Sequence, residues 1–159
     1  MQATAEDQLQ PVAPPPQVPP HIAVFPVSSD CVDTLWDQVE PLLAKAVRRE
    51  HGRFTTRDIY KWFLEGEQLL WVIARDHRVV AAGMVRNYRH PTGKLGSCWH
   101  LLGGEGAKDW AVKVIETWSA DCRRRGVSEM QIVGRRGWLR YVRPYGFKVA
   151  GVLLTREEV

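Results

Sequence analysis

The residues best able to do chemistry lie in one stretch, Cys98-Trp-His-Leu-Leu-Gly-Gly-Glu-Gly-Ala107. His100 can exchange a proton near neutral pH, and Cys98 can act as a nucleophile once its thiol ionises. Two residues apart on an extended chain, the two point to the same side. A lone strand histidine also suits a structural role, and Cys98 also suits a core. Gly103, Gly104 and Gly106 follow, and then a helical pattern runs from Lys108 to Arg125, with Val112, Ile115, Trp118, Ser119 and Cys122 on one face and Gly126 as its stop. A strand that enters a helix through glycines can present the N–H groups of residues 103–107 to a phosphate. It can equally let a helix pack closely on a sheet. Glu105 places a carboxylate among those N–H groups, which opposes a phosphate unless the side chain turns away.

The bulk properties bound the answer loosely. The 159 residues suggest one domain, and 45% hydrophobic with 25% charged residues is ordinary globular composition. Seven tryptophans are many for this length and can serve either a core or a partner. The net charge of +4 does not by itself imply nucleic acid. The basic residues Arg123, Arg124, Arg125, Arg135, Arg136, Arg140, Arg143 and Lys148 crowd the C-terminal third, as solvated helix ends or as a basic face, but no base-reading motif accompanies them. Cys31, Cys98 and Cys122 are widely spaced, which indicates neither a metal site nor a disulfide framework, and reduced thiols suit a cytosolic setting. Neither a signal peptide nor a membrane-spanning run is visible.

The elements that must position the 98–126 stretch read as follows. Residues 1–20 hold Pro11, Pro14, Pro15, Pro16, Pro19 and Pro20 and form an extended arm. Polyproline II has no internal hydrogen bonds, so a neighbouring subunit would be needed to order it. His21–Val27 is a first strand. Val32, Leu35, Trp36, Val39, Leu42, Leu43, Ala46 and Val47 mark an amphipathic helix, with a kink or fresh start expected at Pro41. Thr55 caps a second helix, with Asp58 as its capping-box partner and Ile59, Trp62 and Phe63 as its apolar face. Residues 69–74 and 79–88 form an antiparallel hairpin, and 89–97 is a loop. Glu129–Val133 is a strand parallel to the one at 98, Gly134–Tyr145 a short helix, and Phe147–Thr155 a final strand. The result is an α/β (α+β) fold of order β-α-α-β-β-β-α-β-α-β. It has a mixed, mostly antiparallel sheet of about six strands, flanked by about four helices.

That order, with the ending Pro144-Tyr-Gly-Phe-Lys148 after a short helix, resembles the GNAT superfamily (GCN5-related N-acetyltransferases) over residues 21–157. The resemblance makes 21–159 a GNAT-like domain and implies acetyl-CoA as cofactor, with its pyrophosphate on the turn containing Gly103, Gly104, Gly106 and Ala107. Three positions depart from the family pattern. Leu101 occupies the place of a Gln or Arg, Glu105 enters the turn, and Val142 occupies the place of the tyrosine that protonates the leaving thiolate. Tyr141 and Tyr145 flank Val142, and His100 is the candidate base.

The departures point to a GNAT-like fold with no cofactor, acting as a non-catalytic structural component of a larger assembly. The segment Gly134–Phe147 is similar to degenerate GNAT-like proteins encoded among bacteriophage structural genes. That similarity implies a virion protein of the head, tail or interior. Its partners would be other protein subunits, met through the arm 1–20 and through Arg136, Trp138 and Arg140, with no membrane and no sequence-specific nucleic acid. Outside a virion the expected location is cytoplasmic. The alternative is an acetyl-CoA-dependent N-acetyltransferase with a non-standard site, with Tyr141 or Tyr145 as acid. No metal is expected in either case.

Overall fold

The computed structural model describes residues 19–152. Residues 1–18 of the expected arm, and 153–155 of the expected last strand, lie outside the described residues. One sheet holds strands β1 (Ile22–Pro26), β2 (Leu69–Arg75), β3 (Arg78–Arg89), β4 (Leu95–Gly104) and β5 (Glu129–Ile132), in that spatial order. All neighbours are antiparallel except β4 and β5, which run parallel and are joined by helix α3 (Ala107–Arg124). Helices α1 (Val32–Val47) and α2 (Thr56–Leu64) cover one face. Helix α3 and the single turn α4 (Leu139–Val142) cover the other.

Strand periodicity divides the core between these faces. On β2, Leu70 and Val72 point to Val39, Leu43, Ile59 and Phe63 of α1 and α2, while Trp71 and Ile73 point to the α3 side. There they meet Trp99, Trp110, Val114 and Trp118. The uninterrupted apolar run Leu69–Ala74 is thus a strand buried on both faces. The α2 cap forms as its sequence predicts: the Thr55 side chain accepts from the Asp58 N–H, and the Asp58 carboxylate accepts from the Thr55 N–H at 2.7 Å.

Four expectations need correction. First, α1 runs unbroken through Pro41, because Pro41 and Asp37, whose carbonyl loses its partner, both lie on the exposed side where water can serve it. Second, β4 starts at Leu95, inside the expected loop 89–97, since Leu95–Ser97 still pair with Arg89–Asn87 across the hairpin. Third, the segment 134–145 is not one helix. It comprises a 3-10 turn (Arg136–Trp138), α4, and a second 3-10 turn (Arg143–Tyr145) containing Pro144, which can donate no helix hydrogen bond.

The fourth correction concerns the expected last strand. The described sheet has five strands, because Phe147–Val152 form no ladder. The Phe147 ring instead stacks against Trp118 at 6.3 Å, and Val149 and Val152 are exposed.

Candidate active site

The fourth strand carries a β-bulge at His100. Val85 of β3 pairs with Trp99, and the next residue, Met84, pairs with Leu101, so His100 has no opposite number. Trp99 enters the α3-side core and Leu101 the α1/α2-side core. His100 joins Cys98 in a cleft of about 450 Å³ at the end of the sheet. Arg86 and Tyr88 of β3, Gln68 ahead of β2, and Gln131 and Val133 at β5 complete its lining. The structure therefore brings Cys98 and His100 to one side, as their spacing predicts.

The cleft sets the state of its titratable groups. His100 Nε2 lies 2.7 Å from the Gln68 side-chain oxygen, which can only accept, so Nε2 carries the proton and Nδ1 keeps a lone pair. Burial, then the charge of Arg86, pushes the His100 pKa below its ordinary 6.5, which leaves the ring neutral at neutral pH. Burial also raises the Cys98 thiol, which keeps it protonated and poorly nucleophilic. Tyr88 is pushed up to about 12 by burial and by Glu129, to which its hydroxyl donates at 3.2 Å.

Beyond Trp99 and Ile132 the parallel strands part. The last rung is the Val133 N–H on the Trp99 carbonyl, at 2.9 Å. From His100 to Gly104 the β5-side edge of β4 has no strand partner among the described residues. At about 3.3 Å per residue this edge is about 16 Å long, and it leads from the cleft to the start of α3.

The glycines divide by role. Gly103 and Gly104 are not in a turn but are the last residues of β4, paired with Ala82 and Ala81. A Cβ on Gly103 would sit 2.0 Å from the Leu42 carbonyl oxygen of α1, and one on Gly104 would sit 2.3 Å from the Ala81 Cβ. Close packing explains both. Gly106 is the N-cap of α3 at φ +69°, and a Cβ there would meet only Asp109 Oδ2, at 3.6 Å. The Glu105 N–H is spent on the Val80 carbonyl, and the Glu105 carbonyl accepts from the Trp110 indole at 2.7 Å.

The acidic groups near this turn are already paired. Glu105 reaches Lys45 of α1 at 2.5 Å, which holds its carboxyl below the usual range through that hydrogen bond and charge. Asp109 meets Arg75 at 2.9 Å. With both carboxylates turned onto cations, the N–H groups of Gly106, Ala107 and Lys108 and the positive end of an 18-residue helix fit a phosphate group. Leu101 is buried and adds nothing to that site.

The tyrosines lie elsewhere. The Tyr145 hydroxyl donates to Glu116 of α3 at 3.0 Å, and Tyr141 packs on Trp138 with the Arg140 guanidinium 4.6 Å from its ring centre. Neither lines the cleft, and Val142 is buried between them in sequence. The Trp138 ring also lies against Trp110, tilted to it, with ring centres 6.0 Å apart.

Sequence reasoning passed over Gln68, Arg86, Tyr88, Gln131 and Lys45. A usable signal was the even-numbered face of β3, where Ala82 and Met84 give way to Arg86 and Tyr88 at the point where α1 and α2 stop covering the sheet. Among the described residues, no cluster of three or more His, Cys, Asp or Glu side chains could hold a metal ion.

The fold is that of the GNAT acetyltransferases. A probable acetyltransferase superposes with a TM-score of 0.66 at 12% identity, over 86% of this chain and 99% of its own. A ribosomal-protein-alanine N-acetyltransferase from Brucella melitensis biovar Abortus 2308 gives 0.65 at 11%, over 87% and 100%. A predicted acetyltransferase from Clostridium acetobutylicum, solved with acetyl-CoA, gives 0.59 at 12%, over 86% and 96%. No protein-family model and no curated sequence matches the chain. Among the described residues, no helix is long and apolar enough to cross a membrane.

Proposed function

We propose that the chain is an acetyl-CoA-dependent N-acetyltransferase with a non-standard site. The observation that carries this reading is the unpaired edge of β4 from His100 to Gly104, which joins a cleft holding a neutral histidine to the open start of α3. The extended arm of coenzyme A has a comparable reach. The N–H groups of Gly106, Ala107 and Lys108 would hold its phosphates, and acetyl-CoA would supply an activated thioester. His100 would take the proton from the acceptor ammonium at Nδ1, with its ring fixed by Gln68. The free amine would then form the N–C bond as the thioester C–S bond breaks, and the departing thiolate would take its proton from solvent. Tyr141 and Tyr145 have no part in this scheme. Titration of acetyl-CoA into the full chain by calorimetry tests it. Micromolar binding that Gly106→Glu abolishes is expected, and absence of binding at millimolar ligand overturns it.

A second reading is favoured by one observation: Val142 is buried where the family places its acid, and the nearby Tyr145 hydroxyl is committed to Glu116. On this reading the chain is a non-catalytic component of an assembly, such as a phage virion. It would be held to neighbouring subunits by the arm 1–20 and by Arg136, Trp138 and Arg140. Absence of acetyl-CoA binding, with concentration-dependent self-association in sedimentation, is its expected signature. A monomer at all concentrations counts against it.

A further inference from the structure

The cleft contains one unanswered charge. Gln68 and Gln131 are neutral, and His100, Cys98 and Tyr88 are held in their uncharged forms at neutral pH. Arg86 is always ionised, and its guanidinium has no carboxylate partner among the described residues. Glu129, whose charge acts on Tyr88 and Cys98, is already engaged: His90 Nε2 lies 2.8 Å from it, and the Tyr88 hydroxyl donates to it at 3.2 Å.

An arginine fork facing a small cleft suits a planar or tetrahedral anion, which it can grip with two parallel hydrogen bonds. A polyamine or any purely cationic acceptor would bring like charge against Arg86 and gain nothing from it. A volume of about 450 Å³ suits a small molecule. We propose, resting on the transferase reading above, that the acceptor is a small amine bearing its own carboxylate or phosphate, with the anion on Arg86 and the amine at His100.

The test uses the full chain and two matched pairs of compounds: an α-amino acid with its amide, and a phosphorylated amino alcohol with the parent amino alcohol. Binding is measured by calorimetry with and without saturating coenzyme A. In at least one pair the anionic member should bind about tenfold tighter or more, and Arg86→Gln should remove that preference. The pair that shows the effect separates a carboxylate from a phosphate. Equal binding within both pairs, or a preference that survives Arg86→Gln, overturns the proposal. The acetyl-CoA titration is read separately. Acetyl-CoA binding without an anion preference sinks the Arg86 assignment alone. An Arg86-dependent preference without acetyl-CoA binding sinks the transferase and leaves the anionic-amine site standing.

Discussion

Two buried tryptophans differ by a single hydrogen bond. Trp118 donates its indole N–H to the Ser97 hydroxyl at 3.1 Å, and both residues are fully buried. Trp71 is as deeply buried, but its N–H has no partner among the described residues. Replacing either by Phe removes similar volume, yet only Trp118→Phe also breaks a buried hydrogen bond, leaving the Ser97 hydroxyl with the Cys122 thiol alone. Urea unfolding should therefore show Trp118→Phe to be the costlier change, by about 1–2 kcal/mol. Tyr88 supplies a pH signature. Its pKa, raised from 10.0 to about 12, makes the folded state hold a proton that the unfolded chain gives up, so this contribution is intact below pH 10 and is lost as pH rises toward 12. Absorbance titration should show a late tyrosine phase near pH 12 that is missing in Tyr88→Phe.

The elements were legible where local chemistry alone decides them. The capping box at Thr55 and Asp58 is a short-range pattern, and it forms as written. Thr55→Ala should lower stability by about 1 kcal/mol in a thermal melt. The Asp58 carboxyl is held below its ordinary 3.8 by hydrogen bonds from Thr55, so the cap should hold at neutral pH and weaken as pH falls through that depressed value. Elements that depend on distant partners were less legible. Nothing local distinguishes Leu95–Ser97 from a loop, because Arg89–Asn87 make it a strand. Likewise Phe147 looks like the start of a strand, but its ring is taken up by Trp118.

Across the whole molecule, the sequence showed the layers but not the contacts between them. The glycine pair at 103 and 104 reads equally as a phosphate turn or as close packing, and only the approach of Leu42 and Ala81 separates the two. Gly103→Ala should drive the β4 backbone away from α1 and destabilise the protein by about 2–3 kcal/mol in urea. The same holds for the candidate site. His100 was visible, but Arg86, Tyr88, Gln68 and Gln131 reach it from three other places in the chain, so no spacing rule could collect them. Glu105 by itself opposes a phosphate, and the cation that holds it, Lys45, lies 60 residues away in sequence.

The bulge at His100 has a consequence for sequence change. Because that residue faces no partner on β3, its deletion would leave Trp99 opposite Val85 and Leu101 opposite Met84, as they are now. Removing one residue from a central strand ordinarily turns every later side chain to the wrong face. Here it would restore simple alternation. The variant lacking His100 should fold, with a melting transition close to that of the parent, and lose only what the cleft does. A deletion at Trp99 or Leu101 should not fold. Insertion and loss of a single codon could thus switch this cleft on or off in a lineage without the fold being rebuilt.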